Sequence, residues 1–331
     1  LAGAAGQQPE EGAPAAAETL SDLAERIIVG RSAPAEDDPE TNIVQYGNFQ
    51  EFIAEARTLF PEAGDEAIAR AIYQRIGQEE QLAAQPAERI TEILEAYSYT
   101  ATERYVHVTE DGAQETVRRE EALAAAALAQ MREMGLFRSS NSRVSDDGYM
   151  RIYTSSARVS PPYGAEARNH YFVLYAFAEW LKRPVWVLED AFAIGCSSNA
   201  IYDSSYNSLA TMRQEEYCQI DGNSKSIDWG RYMNGRTYGS KWPNQYLNFV
   251  PAGANGIGVK LHFDTVNILP CYTNHGATKM RKRMVTLDCR VYTQGGDFNV
   301  YAGYCHKELS FGSISISLNG GISFGVSGSA S

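Results

Sequence analysis

Small polar and large apolar residues alternate strictly near the C-terminal end of the chain, in SISISLNGGISFGVSG at residues 313–328. Because successive side chains of a β-strand point to opposite faces, the pattern predicts two strands. A three-residue loop, Asn319-Gly320-Gly321, opposes apolar residues with apolar ones, whereas a two-residue loop would oppose them with serine. We therefore predict a hairpin, which we call the C-terminal hairpin, whose apolar face contains Ile314, Ile316, Leu318, Ile322, Phe324 and Val326.

The C-terminal hairpin is uncharged, since no charged residue occurs between Leu309 and Ser331. Sheet edges in monomeric proteins usually carry Lys, Pro or a bulge that prevents pairing with another chain. This edge is therefore either covered or meant to pair, and the sequence leaves open whether the partner is the same chain or a second copy. Each strand is shorter than the roughly nine to eleven residues that cross a bilayer.

Alternation also dominates the stretches before the C-terminal hairpin. The segments GVKLHFDTVNILP, RMVTLDCRVYT and DFNVYAGYCH, between residues 258 and 306, each place apolar residues at every second position. With the hairpin they predict five or more antiparallel strands, enough for a sandwich-like β domain at residues 251–331.

Helical spacing dominates residues 45–160. Phe49, Phe52, Ile53 and Ala56 share one face of a predicted helix that ends before Pro61, and two further helices are predicted by residue 97. A hairpin around Asp111-Gly112, a helix over residues 119–134 and a strand over residues 149–160 follow. We predict a mainly helical domain for this region.

Residues 161–250 have a mixed pattern. The continuous apolar run at residues 169–182 predicts a helix, and Val185 to Leu188 predicts a buried strand after Pro184. The following loops are rich in Tyr, Asn and Ser. Their rings are candidates for a surface that binds glycans or protein partners, although loops wrapped over a sheet have the same composition. The candidate residues are Tyr232, Tyr238, Trp242 and Tyr246.

Together these patterns predict an α+β protein, with an N-terminal helical domain followed by a mainly antiparallel, sandwich-like C-terminal domain. The first 44 residues are rich in Ala, Pro and Glu and predict a flexible acidic arm.

Charge is distributed unevenly over the 331 residues, whose net charge is −12. Residues 1–150 carry 28 acidic and 12 basic side chains, and residues 151–331 carry 13 acidic and 17 basic ones. This distribution argues against nucleic acid as a partner of the first half. One basic cluster is a candidate for binding anionic lipid, glycan or the acidic arm of a neighbour, and a solvated loop is the alternative. The cluster contains Lys279, Arg281, Lys282 and Arg283.

All five cysteines lie in the second half and form no C-x-x-C pair, which disfavours a zinc ribbon. We expect disulfides in an exported protein, with one thiol left over, while reduced cysteines in the cytosol stay an open alternative. The candidates are Cys196, Cys218, Cys271, Cys289 and Cys305. The Ala2-Gly3-Ala4 stretch fits the end of a removed signal peptide, so an extracellular or virion-surface location is expected.

The sequence shows no catalytic motif, and we predict no catalytic residue, metal or cofactor. No run of apolar residues is long enough for a transmembrane helix. The first hypothesis is a non-enzymatic assembly protein, exported or virion-type, that self-associates through the N-terminal arm and the C-terminal hairpin. The alternatives are a secreted toxin or receptor-binding protein acting at membranes, and an enzyme whose site carries no recognisable motif.

Overall fold

A computed structural model describes most of the chain. The described residues are 19–32, 42–78, 81, 85, 87–109, 114–133, 147–166, 168–182, 189–218, 224–233, 237–239, 247–250, 253–263, 278–307, 313–318 and 322–327.

Antiparallel β-structure makes up most of the fold. The strands are, in chain order, β1 (Ile28–Ser32), β2 (Asn42–Gly47), β3 (Ala96–Val108), β4 (Gln114–Val117), β5 (Gly148–Val159), β6 (His170–Lys182), β7 (Glu189–Cys196), β8 (Ile201–Tyr202), β9 (Leu209–Cys218), β10 (Ser224–Tyr232), β11 (Thr237–Gly239), β12 (Leu247–Phe249), β13 (Gly256–Leu261), β14 (Thr278–Thr293), β15 (Val300–Lys307), β16 (Ser313–Ser317) and β17 (Ser323–Ser327).

These strands form three sheets. The large sheet has eleven strands in the order β1-β2-β3-β5-β6-β14-β9-β10-β11, with β4 paired to β3 and β8 paired to β14. The small sheet has four strands in the order β12-β13-β7-β15, and β16 pairs with β17 as a separate two-stranded unit.

Helices cover the face of the large sheet opposite the small sheet. They are α1 (Leu20–Ala24), α2 (Phe49–Leu59), α3 (Asp65–Arg75), α4 (Ala87–Ile90), which continues into a 3-10 turn at Thr91–Glu95, and α5 (Arg119–Glu133). Thr19 caps α1 with a reciprocal hydrogen-bonded capping box to Asp22.

The large sheet is shared by two hydrophobic cores. In the first core, its residues Leu174, Met212 and Leu287 pack against Ile194 and Val259 of the small sheet. In the second core, its residues Tyr99, Tyr153 and Phe177 pack against Phe49 and Ile72 of the helices. The molecule is therefore layered as helices, large sheet, small sheet and hairpin.

The predicted fold class is wrong in its division into a helical and a β domain. The N-terminal helices pack on a sheet that also contains the late strand β14, whose Met284 contributes to their core. Residues 45–160, predicted as mainly helical, contain the long strands β3 and β5. Part of the predicted flexible arm, residues 19–32, forms α1 and β1.

The helix predicted at residues 169–182 is also wrong, because His170–Lys182 forms strand β6. Leu174 and Ala176 of β6 face the first core, whereas Tyr175 and Phe177 face the second. A strand buried on both faces is apolar at almost every position, so its sequence cannot be told from that of a buried helix by periodicity.

Other local predictions are confirmed. The helices Phe49–Leu59, Asp65–Arg75 and Arg119–Glu133 lie where helical spacing places them. Strands β3 and β4 pair antiparallel, with Val108 opposite Gln114, as the predicted hairpin requires. The predicted turn residues Asp111 and Gly112 lie outside the described residues.

Candidate functional site

The C-terminal hairpin has the predicted register, with Ile316 opposite Phe324 and Ile314 opposite Val326. The structure places its apolar face on the outer face of the small sheet, the face that points away from the large sheet. A Cβ atom added at Gly258 would lie 2.8 Å from Cδ1 of Ile316. Within this chain, the hairpin therefore packs on its own small sheet. The side chains of Ile314 and Val326 lie outside the described residues.

The outer face of the small sheet is made of small residues, and we call it the glycine face. Along β7, Phe192 and Ile194 point into the first core, so the alternating positions Ala191, Ala193 and Gly195 point outward. The outer positions of the neighbouring strands are Gly258 in β13 and Gly303 in β15. Ala191 and Ala193 are fully buried.

The glycines leave room for individual hairpin side chains. A Cβ atom at Gly303 would lie 2.7 Å from Cε2 of Phe324, and one at Gly253 would lie 2.6 Å from Cβ of Leu318. Separations this short do not occur between real Cβ atoms and their neighbours. Glycine at these positions is therefore what lets the hairpin approach the sheet so closely.

The predicted anion-binding cluster lies in strand β14 rather than in a loop. The Arg283 side chain is buried, with an exposed fraction of 1%, and its guanidinium lies 5.5 Å from the centre of the Phe263 ring. The Arg283 side chain therefore does not face solvent. The side chains of Lys279, Arg281 and Lys282 lie outside the described residues.

The predicted aromatic surface is described only in part. Tyr232 ends β10 and Tyr238 is the central residue of β11, but their side chains are not among those described. Trp242 and Tyr246 lie outside the described residues.

Three of the predicted disulfide cysteines, Cys196, Cys289 and Cys305, are free thiols in the structure. Burial raises the pKa of the Cys196 thiol to about 12 and that of Cys305 to about 11, and it raises the pKa of Cys289 well above its ordinary value. These thiols are therefore protonated and weakly nucleophilic at neutral pH. The Cys218 side chain and Cys271 lie outside the described residues.

Sequence reasoning missed a polar cluster buried between the two sheets, which we call the Asp190 cluster. Nδ1 of His306 and Oδ1 of Asp190 are 2.7 Å apart, and both side chains are fully buried. The Tyr304 hydroxyl donates to the other oxygen of Asp190 and accepts from Nε1 of Trp180 at 3.2 Å. An acid and an imidazole in contact could exchange a proton, but these groups have no surface through which a substrate could reach them.

A second buried cluster, the Asp288 cluster, joins the helical layer to the large sheet. Arg89 pairs with Glu92 at 2.5 Å, and its guanidinium lies 4.7 Å from the centre of the Tyr206 ring. The Tyr206 hydroxyl donates to Glu92 at 2.8 Å, and the backbone N–H of Leu209 donates to Asp288 at 2.8 Å. Burial, opposed by the charge of Arg89 and reinforced by that of Glu92, raises the pKa of Asp288 to about 7.

The edges of the two sheets differ in how they are protected. The small sheet ends at β15, where Arg104 donates to the carbonyl oxygen of Ala302 at 2.7 Å and Gln114 donates to that of Tyr304. These side chains occupy backbone acceptors that another strand would need.

The large sheet ends at β1, which pairs only with β2 in the part of the chain that the structure describes. Ile28 and Val29 of this strand are exposed at 63% and 41% of their surface. The open edge of β1 is therefore the strongest candidate site for an interaction. Its sequence signal was the β-branched run Ile27-Ile28-Val29 inside the predicted arm.

Neither metal-binding nor membrane-spanning features stand out in the described parts of the chain. No group of three or more His, Cys, Asp or Glu side chains could hold a metal ion there. None of the helices described is long and apolar enough to cross a membrane.

No protein-family model matches the sequence, and a comparison with curated proteins gives no significant match.

Proposed function

We propose that the protein is a non-enzymatic structural subunit that self-associates, with the open edge of β1 as its first contact. An apolar, unprotected edge strand is a template for pairing with a strand of another molecule. Antiparallel pairing of β1 with β1 of a second copy would join two large sheets around a two-fold axis. Such a contact uses the same surface on both subunits, as closed dimers do.

The contrast between the two sheets supports this proposal. At β15, Arg104 and Gln114 bind the outer backbone of the strand, whereas β1 presents Ile28 and Val29 to solvent. A protein that protects one edge and exposes apolar side chains on another is expected to use the edge with the exposed apolar side chains.

The burial of the acid–base groups supports a non-enzymatic role. Asp190 and His306 are sealed between the two sheets, and Asp288 lies beneath the helical layer. Their positions suit a role in holding the layers together. An exported or virion-type setting for the assembly is part of the proposal and comes from the sequence alone.

The proposal is tested by measuring the molar mass of the full chain over a range of concentrations, using light scattering after size-exclusion chromatography. We expect a concentration-dependent dimer or larger assembly. The double variant Ile28→Lys, Val29→Lys places like charges across the proposed contact, so its dissociation constant should rise by about tenfold or more.

The matched control is Tyr163→Lys, which changes a fully exposed aromatic residue in the connection between β5 and β6. It should assemble as the unchanged chain does. A chain that stays monomeric at every concentration, or a double variant that assembles like the unchanged chain, would overturn the proposal.

A further inference from the structure

The C-terminal hairpin is attached to the rest of the molecule in an unusual way. Its two strands pair with each other and, among the described residues, with no other strand. What holds it in place is side-chain packing of Ile316, Leu318, Ile322 and Phe324 on the glycine face. Such a unit can leave its site without breaking the strand pairing of either sheet.

The glycine face is shaped for this one occupant. Side chains at Gly253, Gly258 or Gly303 would collide with Leu318, Ile316 or Phe324, so the fit is specific to the hairpin. Without the hairpin, the outer positions Ala191, Ala193 and Gly195 would be open to water. The glycine face therefore has to be covered by apolar side chains, and the hairpin supplies them.

An identical hairpin from a second copy would meet the same requirement. The hairpin follows β15 after only the five residues 308–312. Exchange of this element between copies preserves every contact of the closed monomer, so its free-energy cost is confined to the connection and to association. The absence of charge from Leu309 to Ser331 removes electrostatic repulsion between two hairpins brought close together.

We propose that the C-terminal hairpin is an exchangeable element, and that in the assembly the hairpin of one copy occupies the glycine face of a second copy. This inference rests on the proposed self-association and names a second contact for it. The contact is reciprocal in a dimer, because each copy both donates a hairpin and receives one. It is separate from the β1 edge, so the two contacts can be tested independently.

The direct test uses chains that each carry a single new cysteine, Gly195→Cys or Ile322→Cys. A Cβ atom at Gly195 would lie 3.5 Å from Cγ1 of Ile322, which is within reach of a disulfide. Both chains carry Cys305→Ser, because Cys305 is partly exposed, and both carry Ile28→Lys and Val29→Lys to suppress pairing through β1. They are co-expressed and oxidised with oxidised glutathione, which takes up the two electrons.

In this mixture a covalent dimer bridged between positions 195 and 322 can form only if the hairpin of one chain lies on the sheet of another. We expect that dimer on a non-reducing gel, with the bridged peptides identified by mass spectrometry. The matched control replaces Gly195→Cys with Tyr163→Cys and should give no such dimer. A third chain carries both Gly195→Cys and Ile322→Cys and tests the bridge within one molecule. If the bridge forms in that chain but not between the two single-cysteine chains, the hairpin does not exchange and the proposal is overturned.

A second measurement does not depend on disulfide geometry. One chain carries Gly303→Val, which blocks its own glycine face, and the other lacks residues 309–331 and so has a face without a hairpin. Both again carry Ile28→Lys and Val29→Lys. We expect each chain alone to be monomeric and the co-expressed pair to form a one-to-one complex. Two monomers in the mixture would contradict hairpin exchange and leave pairing through β1 unaffected.

Discussion

The large sheet buries one polar cluster against each of its faces, and the two clusters satisfy their charged groups in different ways. In the Asp190 cluster, a carboxyl group is surrounded by the hydrogen-bonding groups of rings, from Tyr304, His306 and the linked Trp180. In the Asp288 cluster, the carboxyl group of Asp288 accepts from the backbone N–H of Leu209, Glu92 pairs with Arg89, and the guanidinium groups of Arg89 and Arg290 lie 4.7 and 5.0 Å from the centre of the Tyr206 ring.

The difference follows from what each cluster has to join. The Asp190 cluster lies between two sheets whose facing side chains are mostly apolar, and its carboxyl group accepts from the rings of Tyr304 and His306. The Asp288 cluster lies where the 3-10 turn meets the sheet, and Glu92 keeps 38% of its side chain exposed. The first cluster should therefore contribute more to stability, and the second should respond more to pH.

The largest expected effect is that of Asp190→Ala. This substitution removes the acceptor shared by Tyr304 and His306 in a fully buried site, so the free energy of unfolding should fall by about 3–5 kcal/mol. Urea unfolding followed by tryptophan fluorescence measures the loss. The control Glu62→Ala, at an exposed position, should change it by less than about 0.5 kcal/mol. A similarly small loss for Asp190→Ala would show that this cluster is not what joins the sheets.

The next effect is the pH dependence carried by Asp288. Because folding raises the pKa of this carboxyl to about 7, the folded state binds its proton more tightly than the unfolded state does. The resulting stabilisation is complete below the ordinary carboxyl pKa of about 4 and is lost as the pH rises through about 7. Relative to Asp288→Asn, the unchanged chain should therefore lose a few kcal/mol over this interval.

Unfolding in urea at several pH values between these limits measures the Asp288 effect. Asn keeps an oxygen that can accept from the backbone N–H of Leu209, so the variant is a close structural match. Parallel pH profiles for the two proteins would contradict the predicted protonation of Asp288.

A matched pair of hydroxyl deletions compares the two clusters directly. Tyr304→Phe removes a fully buried donor to Asp190 and should cost about 2–3 kcal/mol. Tyr206→Phe removes a donor to the partly exposed Glu92 and should cost about 1 kcal/mol or less. Thermal and urea unfolding give both values. Equal losses, or the reverse order, would remove the proposed difference between the clusters.

The smallest effect is expected for Arg290→Lys. Lysine keeps the charge near Asp203, whose Oδ2 lies 2.8 Å from Nε of Arg290, but it loses the planar contact with Tyr206. We expect a loss of about 0.5–1 kcal/mol in the free energy of unfolding. The control Arg168→Lys, in an exposed ion pair with Glu166, should have no measurable effect. An equal effect at both positions would show that the contact with Tyr206 contributes nothing.

What could be predicted from the sequence depended on how far each pattern reaches along the chain. The register of the C-terminal hairpin was predictable because one choice of turn decides which side chains face each other. Strand β6 was not predictable, because burial on both faces removes the alternation of apolar and polar residues that identifies a strand. The open edge at β1 was hidden because its short β-branched run lies within Ala-, Pro- and Glu-rich sequence.

The polar clusters were beyond sequence reasoning for a different reason. Asp190 and His306 are 116 residues apart, and each alone resembles a common surface residue. Only the pairing of β7 with β15 brings them together. The same holds for the glycine face, whose members come from three separate strands and whose role is visible only beneath the hairpin.

The central position of β6 in the large sheet has a consequence for how the chain reaches this structure. Its neighbours are β5, which precedes it, and β14, which begins only at Thr278. The second core receives Met284 from β14, and one edge of β6 stays without its partner strand until β14 has been synthesised. An apolar strand with an open edge can meanwhile pair with another chain. Co-translational chaperone capture of nascent chains that end before β14 is the expected result.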